Sequence, residues 1–241
     1  GSEFIKPENI GALGLDYTNL IDPRTGENMN REIYDKIVAE DPAYIIVLCL
    51  PQREEWLPMW LKVPHMTVAG DAMPPVDVEG NFLSWDDPFE AYNGHPRTVA
   101  THAITFRLAR EAGIPLMHTI SQNSYWAAKH LGDAGIEAMQ KRGRMQQGMV
   151  ADITIFDPEN ITENAGYKLG TNGLPSTGIP YVLVNGTIMV NESKVVSGKF
   201  PGQAIRYPIE ANERFEPLEK QSYLEKIFSP EPQDLLDHGV E

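Results

Sequence analysis

The sequence predicts an α/β fold that is followed by a small all-β module. Two short apolar runs, at residues 43–50 and 66–70, have the length and β-branched content of strands buried on both faces, as in a parallel sheet. Segments with helical periodicity precede and follow these runs. After Gly143 the chain changes to short apolar runs separated by turns, so a domain boundary is expected there.

The first part of the chain alternates loops with apolar segments. Residues 5–30 are rich in Asn, Gly, Pro and Asp and predict a loop, whereas residues 31–41 predict a short helix. Residues 72–97 contain four prolines and predict a long polar loop, a feature that is usually functional or disordered. Helices are expected at residues 98–111, with Gly113 as the stop, and at residues 116–131, ended by Gly132.

The second part predicts a small β-sandwich or meander. Its strands are expected at residues 151–156, 181–184, 187–190 and 194–196. The dipeptide Asn185-Gly186 lies between two apolar runs and is a strong signal for a two-residue hairpin turn. The predicted organisation is therefore a partial barrel segment at 5–142, a small β-domain at 143–207 and an acidic tail at 208–241.

Composition and charge exclude several classes of partner. The chain of 241 residues has 34 acidic and 20 basic residues, a formal charge of −14 that repels nucleic acid and anionic membranes. No apolar run approaches the roughly 20 residues that span a bilayer. Cys49 is the only cysteine, so no intrachain disulfide forms and a cytoplasmic location is favoured. The first four residues look like a cloning scar, which suggests a segment of a longer protein.

Three residues are candidates for chemistry. Asp71 follows the second apolar run, at the end of a strand where α/β barrels place catalytic groups, and a carboxylate there can bind a metal or accept a proton. His95 and Arg97 lie in the loop that follows, where they could hold a substrate carbonyl and a substrate carboxylate. The alternatives are a turn cap for Asp71 and ordinary surface positions for His95 and Arg97. The remaining histidines fit packed or solvated positions better.

Five stretches of sequence resemble one enzyme family. Residues 141–158 are similar to the segment with which metal-dependent amidohydrolases leave their barrel and enter a small β-domain. Residues 175–187 and 201–206 resemble the C-terminal hairpin region of N-acyl-D-amino-acid deacylases, with the N-acyl-D-glutamate branch nearest. Residues 69–71 resemble the end of barrel strand eight in these enzymes, and His95-Pro96-Arg97 resembles the stretch that follows that strand.

The resemblance implies a zinc-dependent hydrolase of N-acyl-D-amino acids. It implies that Asp71 is both a metal ligand and the proton shuttle, and that His95 and Arg97 shape the substrate side of the pocket. The fold implied is the last units of a TIM barrel followed by a small β-domain. The substrate would be a small N-acyl amino acid.

The chain also departs from the family pattern. A His-x-His pair and the other metal ligands of these enzymes cannot be placed in it, and about 70 residues before Asp71 accommodate only about two barrel units of the roughly 250-residue barrel. We therefore expect an incomplete enzyme that forms a homo-oligomer or pairs with a missing N-terminal part. Two alternatives stay open, a non-catalytic structural or assembly fragment and a cyclic amidase of the same superfamily.

Overall fold

The structure, a computed structural model, describes residues 9, 11–42, 44, 46–49 and 55–207. The chain divides into two compact units, Gly1–Ile205 and Arg206–Glu241, and every helix and strand described lies in the first. The helices are α1 Arg31–Glu40, α2 Leu57–Trp60, α3 Arg97–Glu111, α4 Leu116–Ile120, α5 Trp126–Asp133 and α6 Glu137–Gln140. The strands are β1 Leu20–Asp22, β2 Glu27–Asn28, β3 Val47–Leu48, β4 Ile153–Ile155, β5 Tyr181–Val184, β6 Thr187–Asn191 and β7 Lys194–Val195.

The first sheet is antiparallel, with strand order β2-β1-β3. Its central strand β1 is fully buried and pairs with β3 through Leu20↔Leu48 and Ile21↔Val47. The prediction of a loop over residues 5–30 is wrong in this part, because β1 and β2 form a hairpin there. The prediction of a parallel strand buried on both faces is also wrong for the described part of residues 43–50, since Leu48 is 45% exposed. Residues 43, 45 and 50 lie outside the described part.

Helix α1 covers this sheet and confirms the predicted helix. Its N-cap Asn30 accepts a hydrogen bond from the amide of Ile33, at 2.9 Å. Tyr34 and Ile37, three residues apart, turn inward and join Leu20 and Met29 in one core cluster. The helix thus buries its apolar stripe on the one strand of the sheet whose residues are all buried.

The second predicted strand, residues 66–70, is not a strand in the structure. The amide of Val68 donates to the carbonyl of Gln122 in a π-helical turn, Ser121–Tyr125, so its partner is helical backbone. A mixture of helices and sheets is confirmed, but both described sheets are antiparallel. The TIM barrel stays unconfirmed.

Helix α3 confirms the prediction over residues 98–111 to within one residue. It buries a face of small residues, including Ala100, Ala103 and Ala109, which lets neighbouring segments approach closely. Gly113 follows it with a positive φ of 65°, as expected for a helix stop. Its last turn contributes Ala109 to a second core cluster with Leu61 and Ile114.

The predicted helix over residues 116–131 is built as α4, the π-helical turn and α5 in succession. Gly132 does not end it, because α5 continues to Asp133 and Gly135 takes the positive φ of 102°. Gly132 is instead a packing position, where an added Cβ would lie 3.3 Å from Gln140 Cγ in α6. The prediction of a stop at Gly132 is therefore wrong.

The strands β4 to β7 form one antiparallel meander, in the order of the sequence, as the alternating runs predicted. Asn185 and Gly186 have φ values of 48° and 75° and join β5 to β6 through the pair Val184↔Thr187. This turn confirms the predicted hairpin. The boundary predicted at 142/143 stays a prediction. Within the described part, no helix is long and apolar enough to cross a bilayer.

Candidate functional site

Asp71 lies at the end of the extended segment 66–70, where the chain passes the first turn of α3. The approach is close, because a Cβ at Gly70 would lie 3.3 Å from the carbonyl oxygen of Arg97. Asp71 itself has a left-handed backbone, with φ of 46°. This conformation is unfavourable for most L-residues but tolerated by Asp. The carboxylate of Asp71 is 83% exposed.

Arg97, the first residue of α3, binds Asp71 twice. Its Nη2 lies 2.8 Å from Asp71 Oδ2, and its Nε donates to the Asp71 main-chain carbonyl at 2.9 Å. The guanidinium therefore contacts both the carboxylate and the main-chain carbonyl of Asp71. Its Nη1 group makes no hydrogen bond to the described part of the chain, so a donor edge stays open to an anionic group.

His95 is held as a neutral imidazole in one tautomer. The main-chain amide of Arg97 donates to His95 Nδ1 at 3.0 Å, so Nδ1 is unprotonated and Nε2 bears the proton. Burial lowers the pKa of His95, the charge of Arg97 lowers it further, and Asp71 opposes both. The ring also meets Tyr167 edge-on, with centroids 5.3 Å apart and planes at 89°. His95 therefore presents an N–H donor near neutral pH.

The structure thus brings Asp71, His95 and Arg97 together at the start of α3. It also adds two tyrosines that the sequence reasoning missed. Tyr167 contacts the His95 ring. Tyr92 is buried, with 5% of its surface exposed, and its hydroxyl lies near the His95 carbonyl and Thr98 at the start of α3. Tyr167 is 72 residues from His95 in the chain, a contact for which a single sequence has no signal.

The remaining described histidines have structural partners. His102 Nδ1 lies 2.8 Å from Asn123 Oδ1, and His118 Nε2 lies 3.0 Å from the Leu61 carbonyl. His130 Nε2 lies 2.9 Å from the carbonyl of His65. These contacts tie α3, α4 and α5 to neighbouring segments and fit the packed positions that the sequence suggested.

The described residues do not fit a zinc site by themselves. Zinc takes three or four protein ligands, and in the described part of the chain no group of three His, Cys, Asp or Glu side chains is placed to hold a metal ion. Asp71 is the one predicted ligand, and its carboxylate is paired with Arg97. What the site offers on its own is a solvent-open carboxylate, a neutral N–H donor and a guanidinium edge.

No protein-family model matches the chain, and no curated protein sequence does. Among solved structures, D-aminoacylase is similar at 25% identity over 43% of this chain and 21% of its own, with a TM-score of 0.38. The zinc- and phosphonate-bound N-acyl-D-glutamate deacylase from Bordetella bronchiseptica is similar at 30% identity over 46% of this chain and 22% of its own, with a TM-score of 0.40.

Both are amidohydrolases of the kind that the sequence motifs resemble, and one of the D-aminoacylase structures concerns a binuclear metal centre. The likeness is confined to less than half of this chain, and the matched part spans about a fifth of the length of the solved structures.

Proposed function

We propose that this chain is the C-terminal part of an amidohydrolase that cleaves N-acyl-D-amino acids, with the N-acyl-D-glutamate branch nearest. The observation that carries the proposal is the assembly of Asp71, His95 and Arg97 at one helix start. Asp71 stands in one motif and His95 and Arg97 in another, and Arg97 contacts both of the others, at 2.8 and 2.9 Å to Asp71 and 3.0 Å to His95. The deacylase-like segments 141–158 and 175–187 support it.

The residues of this chain would act on the amide bond in three ways. The Asp71 carboxylate would take a proton from the attacking water and deliver it to the leaving amine. The Nε2–H group of His95 would donate to the substrate carbonyl oxygen, where negative charge develops. The open edge of Arg97 would bind the substrate carboxylate, as guanidinium groups do in planar pairs.

Zinc is proposed for the complete enzyme, with Asp71 as one ligand. Because the described residues lack a ligand set, the other ligands would come from residues outside them, elsewhere in this chain, in an N-terminal part of the same enzyme or in a second polypeptide. We therefore also propose that the chain acts in an assembly, as a homo-oligomer or paired with that N-terminal part.

A second candidate is a non-catalytic structural or assembly module. The observation that favours it is the same ligand count, since one carboxylate paired with an arginine does not make a metal centre. In that case the ion pair of Asp71 and Arg97 would serve only to fasten the extended segment to α3.

One experiment separates the two. Zinc content and hydrolysis of N-acetyl-D-glutamate and N-acetyl-D-methionine are measured for the purified chain, with the L-enantiomers and a cyclic amide in parallel. Stoichiometric zinc with turnover that Asp71→Asn abolishes would establish the deacylase. A matched control is Asp133→Asn, which removes another exposed ion pair, with Lys129 at 2.7 Å, far from the site in sequence. If the purified chain binds no zinc and shows no turnover, it is inactive by itself, and the structural module is favoured.

A further inference from the structure

A buried tyrosine and a threonine connect the two segments that carry the site. The Tyr92 hydroxyl lies 2.7 Å from Thr98 Oγ1 and donates to the His95 carbonyl at 3.5 Å. Thr98 Oγ1 in turn accepts the amide of Met73, two residues after Asp71, at 3.0 Å. Three short stretches of chain therefore meet at these two hydroxyl groups.

The short bond of the network joins the two hydroxyl groups, and either of them can be its donor. The Thr98 oxygen also accepts from the Met73 amide, and the Tyr92 hydroxyl makes a longer contact with the His95 carbonyl. The network therefore connects the stretches around Met73 and His95 through two side chains that contact each other directly, and neighbouring hydrogen bonds of this kind strengthen one another.

The network closes a ring through the site. From His95 it passes to the Arg97 amide at Nδ1, and from Arg97 to Asp71 through the guanidinium. Met73 follows Asp71 by two residues in the chain, and its amide donates to Thr98, which closes the ring of contacts. Asp71 has little burial to hold it, since its side chain is 83% exposed, so its left-handed backbone is held in place by these bonds.

We propose that Tyr92 and Thr98 are positioning residues, which keep Asp71 in register with His95 and Arg97. Their significance for catalysis rests on the proposed function, but the geometry that they impose does not. Two glycines leave room for the tyrosine. An added Cβ would lie 2.2 Å from the Tyr92 hydroxyl oxygen at Gly94, and 2.7 Å from Tyr92 Cβ at Gly173.

The test uses nitrogen-15 NMR on the full chain. It observes two groups of the hydrogen-bonded network directly, the His95 imidazole and the Arg97 Nε–H, and needs no turnover. In the unchanged protein we expect one His95 tautomer, with Nε2 protonated, and a slowly exchanging Nε–H resonance from Arg97. Tyr92→Phe and Thr98→Val should give a mixture of His95 tautomers and accelerate exchange of the Arg97 Nε–H by about tenfold or more, the equivalent of one charge-assisted hydrogen bond. Thr98→Ser keeps the hydroxyl and should restore both signals.

The controls separate positioning from general destabilisation. Tyr44→Phe removes another tyrosine hydroxyl bond, to Asp22 at 2.7 Å, and should leave both signals unchanged. If Tyr92→Phe does not fold, Thr98→Val against Thr98→Ser decides. Unchanged signals in folded Tyr92→Phe or Thr98→Val, or a Thr98→Ser protein that behaves like Thr98→Val, would overturn the proposal. An intact ring without deacylase turnover would count against the proposed function alone.

Discussion

At the scale of single residues, the candidate site is held by hydrogen bonds between side chains and main chain more than by burial. His95 is half-buried and Asp71 is exposed, yet both are fixed through Arg97, which donates from its amide to His95 and from its Nε to the Asp71 carbonyl, and whose Nη2 forms an ion pair with the Asp71 carboxylate. Such an arrangement places one neutral donor, one carboxylate and one cation around the start of α3.

The protonation of His95 should contribute to stability in a defined pH window. Its pKa lies below the ordinary value of 6.5, with burial as the main cause, so the unfolded chain takes up the proton first as the pH falls. The stabilisation is full above about pH 6.5 and is lost as the pH falls towards the lowered pKa of the folded state. We expect the urea midpoint to fall between pH 7 and pH 5, and to fall less in His95→Asn, whose amide oxygen can replace Nδ1 as acceptor.

An NMR titration of the His95 C2 proton measures directly whether the pKa of His95 is lowered. A midpoint at or above 6.5, or equal pH dependence of the two proteins in urea, would contradict the structural account of His95.

The sequence alone identifies Asp71, His95 and Arg97 as candidates because each stands in a recognisable stretch of residues, and their functional roles stay predictions. It could not predict that Arg97 grips the Asp71 backbone, nor that Tyr92 and Tyr167 lie beside His95. Those contacts depend on how the loop 72–97 folds back on α3. No periodicity encodes that path, since the loop has few regular elements.

At the scale of secondary structure, local signals were predictable and long-range pairing was not. The Asn185-Gly186 turn and α3 follow from residues within a few positions of each other. The apolar run at residues 43–50 predicted a parallel strand, but its described part pairs antiparallel with β1, which lies in a segment whose Gly and Pro content predicted a loop. The antiparallel pairing of β1 with β3 therefore could not be predicted from composition.

The hairpin between β5 and β6 should depend on the glycine at its turn. Gly186 has φ of 75°, and an added Cβ would meet nothing closer than 4.0 Å, so Gly186→Ala adds backbone strain without a clash. We expect a loss of about 1 kcal/mol and a fall in Tm of roughly 2–4 °C for a chain of this size.

Gly202→Ala is the matched control, because an added Cβ there meets nothing within 4 Å and its φ is not in the left-handed region. Differential scanning calorimetry of the two variants measures the difference. Equal Tm values would show that the turn tolerates a side chain.

The ion pair between Arg107 and Glu163 connects α3 to the segment before β5. Arg107 also binds Glu111 one turn further along the helix, at 3.1 Å. Burial opposes the charge of Glu163, but the hydrogen bonds from Arg107 outweigh it and lower the Glu163 pKa, while the same bonds raise the pKa of Arg107. We expect Glu163→Gln to destabilise the fold by about 2 kcal/mol, since it leaves a partly buried guanidinium underpaired.

Glu111→Gln is the control, because Glu111 is 56% exposed and its pair within one helix is worth about 0.3–0.5 kcal/mol. Urea unfolding at pH 7 measures both variants. The contribution of Glu163 should also disappear as the pH falls below about 4.5, because its lowered pKa stabilises the fold only where the unfolded carboxyl would be ionised. A Glu163→Gln protein no less stable than Glu111→Gln would contradict this account.

At the scale of the whole molecule, the described surface carries large apolar side chains that the small cores do not use. Met59 is 62% exposed, Trp60 56%, Phe82 78% and Phe200 72%. Met59 and Trp60 are adjacent in α2. Exposed apolar surface of this kind often marks a contact with another protein surface, which agrees with the proposed assembly. The net charge of −14 acts against association of identical chains.

These two opposing forces make self-association testable. Replacing Met59 and Trp60 together by Gln should weaken association by about tenfold for each side chain, if each contributes the roughly 1.5 kcal/mol of a buried apolar group. Raising the salt concentration to about 0.15 M should strengthen association of the unchanged chain, because it screens the repulsion between acidic surfaces. Sedimentation velocity over a range of protein concentrations measures both effects, and Met145→Gln, at a methionine that is 82% exposed, is the control. A sedimentation coefficient that stays at the value of the monomer at every concentration and salt would exclude the homo-oligomer and leave pairing with a different polypeptide as the form of the proposed assembly.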